Sequence, residues 1–147
     1  MDRSGDLRMR RRPWPGNARV MAVLSSLLLG GCVGPGGEGD EGARTAATEF
    51  LDEVRAGRLE AAWQGTSAEF KSLMGLENLR DFVRAHPVLG EPAEYAETRA
   101  LDRGGLDLAE CVFLAPAFPK GAAGGSTITV LVAEGDEGWA VERLTVD

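Results

Sequence analysis

The chain has 147 residues, room for one domain, and a net charge of −7. That charge is unevenly placed: up to Gly31, six arginines stand against Asp2 and Asp6 for +4, leaving −11 for the rest. Such an acidic body repels phosphate backbones and anionic headgroups, which argues against nucleic-acid binding, and a hydrophobic fraction of 44% argues against disorder.

The N-terminus is a basic Pro/Gly stretch, RRRPWPGN, followed by VMAVLSSLLL over Val20 to Leu29. A membrane-spanning helix needs about 20 apolar residues, so this run is too short to span. Its length and basic flank suit the apolar region of an export signal. Met9 is a second candidate start, and Pro13 and Trp14 after Arg11-Arg12 depart from a twin-arginine pattern, so a Sec-type signal is expected. The run closes as Leu29-Gly30-Gly31-Cys32. This resembles the lipobox of bacterial lipoproteins. The resemblance implies cleavage between Gly31 and Cys32 and a diacylglyceryl chain on the Cys32 thiol, with further acylation such as palmitate. It also implies a cell-envelope address, periplasmic or on the outer cell surface. Each buried methylene of such a chain contributes about 0.8 kcal/mol, and two or more chains hold a protein stably without a spanning segment. Val33, next to the cysteine, is not the aspartate that such sorting uses for retention at the inner membrane.

The only other cysteine is Cys111, in the apolar run AECVFLA. With Cys32 acylated it has no partner in the chain, and a buried, inert thiol is expected. Residues 32–42 (CVGPGGEGDEG) read as the lipidated cysteine and a flexible, acidic, glycine-rich tether.

From Ala43 the apolar period is helical. Ala46, Ala47, Phe50, Leu51 and Val54 share a face, and Gly57 is a stop. Leu59 to Gln64 forms a short second helix. Thr66 and Glu69 read as a capping box opening a third, with Phe70, Leu73 and Met74. Leu76, Leu79, Phe82 and Val83 mark a fourth, which ends at His86 because Pro87 disfavours helical geometry before it. Past Pro92 the texture is that of strands: Tyr95 to Leu101, Leu106 to Ala115, Ser126 to Ala133 and Trp139 to Val146. A long glycine-rich loop, Pro116 to Gly125, joins the middle pair.

Residues 43–147 are therefore expected to be an α+β domain: three to four helices packed on a curved antiparallel sheet of about four strands. The segments FLDEVRAGRLEAAW, SAEFKSLM, LRDFVRAHPVL and GWAVERLTV resemble the nuclear transport factor 2-like, cystatin-like superfamily. The resemblance implies a sheet wrapped round a long helix to leave a cone-shaped pocket. A different α+β sandwich is the alternative.

Chemistry-bearing residues are few. His86 is the one histidine and Tyr95 the one tyrosine, and Asp81 lies beside Arg80 and Arg84 on a polar helix side. With Trp63, these are the candidate pocket residues. A single histidine and one free cysteine cannot close a zinc site, and no nucleophile elbow or phosphate loop occurs, so neither metal nor cofactor is expected. Active sites gather perturbed ionisable groups, and this domain offers few. The favoured expectation is non-catalytic binding of a small apolar ligand or an envelope protein. The competing one is a small-pocket isomerase, dehydratase or hydrolase using Asp81, His86 or Tyr95.

Overall fold

The first helix runs further back than its apolar pattern indicates. In the computed structural model, which describes residues 38–147 apart from 122, α1 spans Glu38–Arg55. The expected tether therefore loses its last five residues to the helix. The reason is Trp139, whose ring lies against the start of α1. A Cβ on Gly42 would come within 2.7 Å of Trp139 Cδ1, and one on Gly39 would lie 3.7 Å from Cζ2. Each glycine costs a helix about 1 kcal/mol relative to alanine, but at Gly42 only a glycine admits the indole this closely. Asp40 and Glu41, in the first turn, favour the positive end of the helix dipole. The leader, Gly31, Cys32 and residues 33–37 lie outside the described residues.

Ala43, Ala47, Phe50, Leu51 and Val54 are buried along one stripe of α1. Gly57, at φ 74°, turns the chain into α2 (Leu59–Gln64). Then follow α3 (Ala68–Leu73), α4 (Leu76–Ala85) and a 3-10 turn over Pro87–Gly90. The cap of α3 differs from expectation. Ser67 Oγ accepts from Phe70 N at 3.1 Å, whereas Thr66 Oγ1 donates to Trp63 O at 2.7 Å. Thr66 is drawn away because this segment is pinned to the sheet: Thr66 bridges to Val141, and Ser67 N donates to Val141 O at 3.0 Å. On α3, Phe70 is buried and Leu73 is exposed.

The sheet is an antiparallel meander in chain order: β1 (Glu94–Arg103), β2 (Leu106–Ala115), β3 (Ser126–Gly135) and β4 (Gly138–Val146). Gly104 and Gly105 both have positive φ, as a two-residue hairpin turn requires. Bulges at Ala96 and Glu142 shift the register on the two edge strands and bend them. One face takes all the helices. Its rows bring Cys111 opposite Val130, Phe113 opposite Ile128 and Ala109 opposite Val132, with Val141, Leu144 and Val146 alongside. These join Leu51, Phe70, Leu79 and Leu89 in one core, and Phe50 meets Phe70 edge to face at 6.0 Å. The expected α+β architecture is thus present, with four helices on one side of a four-stranded sheet.

Gly42→Ala is expected to lower the urea midpoint of unfolding, because a crowded core site costs about 1–3 kcal/mol and outweighs the propensity gain. Gly39→Ala, with room for its Cβ, should leave the midpoint unchanged or raise it. Equal midpoints for the two variants would contradict the Trp139 contact.

Candidate functional site

The four side chains singled out from the sequence sit on three different elements, and each is engaged locally. Trp63, on α2, donates from Nε1 to Met74 O at 2.8 Å and fastens α2 to the end of α3. Asp81, on α4, pairs with Arg84 at 2.7 Å and its side chain is 72% exposed. His86 caps α4, its Nδ1 lying 2.8 Å from Phe82 O, and its ring stacks on Phe82 with centroids 4.2 Å apart. The position before Pro87 accounts for the end of α4 at His86, whose ring then folds back on Phe82.

Tyr95 is the one candidate on the helix-covered side of the sheet. Its ring meets Phe113 edge to face at 5.8 Å, and the Arg44 guanidinium of α1 lies 4.2 Å from the ring centroid. Its hydroxyl is 2.8 Å from Thr98 Oγ1, which lies 3.7 Å from Cys111 Sγ. Tyr95 thereby ties β1 to β2 and to the helix above. Burial pushes the Cys111 thiol up, with the Thr98 hydrogen bond opposing in part and Asp40 adding to the rise. A thiol held protonated is a poor nucleophile, and Cys111 is fully enclosed.

Three recesses beside the helices were not visible from the sequence. One, of about 840 Å3, lies between α2 and α4, floored by Leu59, Ala61 and Val83 and rimmed by Arg58, Arg80 and Arg84. Each arginine already has a carboxylate: Glu53, Glu77 and Asp81 respectively. The Arg58 hydrogen bonds hold the Glu53 carboxyl below the usual carboxylate range. The recess is therefore close to neutral. The second, of about 350 Å3, opens beside the start of α1, where Trp139, Ala100 and Ala109 meet Asp40, Asp102, Asp107 and Glu134. Those acids come from distant segments, so no local spacing announces them. A third recess, of about 450 Å3, runs along α1 and α2 beside β4, lined by Ala46, Glu49, Phe50, Ala62, Trp139 and Val141. Among the described residues, no three or more His, Cys, Asp or Glu side chains are grouped so as to hold a metal ion. No described helix is long and apolar enough to cross a membrane.

No protein-family model and no curated protein matches the chain. Among solved structures, it is similar to an NTF2-like protein with a cystatin-like fold from Novosphingobium aromaticivorans. The TM-score is 0.49 and the identity 12%, over 74% of this chain and 80% of that one.

The raised Cys111 thiol has a consequence for pH. Its unfolded form ionises at the ordinary thiol value and its folded form only above it. Its contribution to stability is thus intact below the ordinary value and lost as pH rises toward the folded one. In a Cys32→Ser chain, iodoacetamide at about pH 8.5 should modify Cys111 only as fast as the protein unfolds. Modification of the native state on the timescale of a free thiol would contradict this.

Proposed function

We propose that the chain is an exported, lipid-anchored binding domain of the bacterial cell envelope, which meets a protein partner through its surface and performs no reaction in its interior. The observation that carries this is the filling of the hollow between α1 and the sheet. Leu51, Phe70, Leu79, Cys111, Phe113, Ile128, Val130 and Val132 occupy it with almost no accessible surface. A small apolar ligand or a substrate of this fold would need that volume. The open recesses lie at its margins: between α2 and α4, along α1 and α2 beside β4, and at the hairpin end of the sheet.

The polar candidates support the same reading. Catalysis by general acid and base calls for groups within hydrogen-bond reach of one substrate. Asp81 points to solvent beside Arg84, His86 faces Phe82, and Tyr95 is held by Thr98 and Arg44. Each spends its hydrogen bond or stacking on the fold.

The lipid address rests on the Leu29-Gly30-Gly31-Cys32 pattern after a basic, apolar leader. A domain of net charge −11 gains nothing from an anionic bilayer, so the acyl chains supply the membrane attachment. Labelled palmitate should enter the expressed protein and follow it into the membrane fraction, and Cys32→Ser should abolish the label. Label retained in that variant would refute the anchor.

A further inference from the structure

We draw no further inference here: the strongest candidate, the recess beside the start of α1 where Trp139 meets Asp40, Asp102, Asp107 and Glu134, is a cluster of carboxylates next to an apolar ring, and nothing else among the described residues points to what would fill it.

Discussion

The seat of α1 across one face of the sheet is the contact on which the rest of the domain depends. An isolated helix of 18 residues is marginal in water, and a four-stranded meander has an apolar face it cannot bury by itself. Each supplies what the other lacks. Phe50, Leu51 and Val54 each contribute about 1.5–3 kcal/mol by leaving water, while Ala43 and Ala47 let the helix backbone come close to the sheet. The remaining helices are added round this pair. Phe70 of α3 packs on Phe50, Trp63 latches α2 to the end of α3, and Thr66 and Ser67 stitch the α2–α3 segment to β4.

Close seating has a functional consequence. A helix laid over a sheet can stand off and leave a cavity, or come down on it and fill the space. Here it lies down. Cys111, Val130 and Val132 at the centre of the sheet are fully enclosed, and the polar cluster of Arg44, Tyr95, Thr98 and Cys111 braces the helix to β1 and β2. The surfaces left for recognition are then at the margins: a neutral recess between α2 and α4, one along α1 and α2 beside β4, and an acidic one at the hairpin end.

Local chemistry in the sequence foretold most of the elements. Leu59 to Gln64 is bracketed by Gly57 and Gly65, Pro87 ends α4, and the β-branched run at Ser126 can hardly be anything but a strand. What failed were features decided by distant partners. The glycines of the acidic stretch looked like tether because nothing nearby shows that Trp139, almost a hundred residues on, needs Gly42 small. Thr66 looked like a cap because its bridge to Val141 has no local sign, although Ser67 beside it was an equally good capping residue. For the candidate site, the sequence supplied residue types but not directions. Asp81 and His86 are five positions apart on α4 and its cap, yet one points to solvent and the other onto Phe82. Tyr95 came out on the covered face only because the register pairs it with Phe113.

The claim that the hollow is filled by the protein itself is tested most directly by native mass spectrometry of the full chain purified from cells. The account predicts masses of the polypeptide and its acyl groups alone, as monomer or dimer, with no further compound released when the complex is activated. An apolar molecule retained at one per chain and released only on unfolding would contradict it, and would mean that α1 lifts from the sheet to hold a ligand.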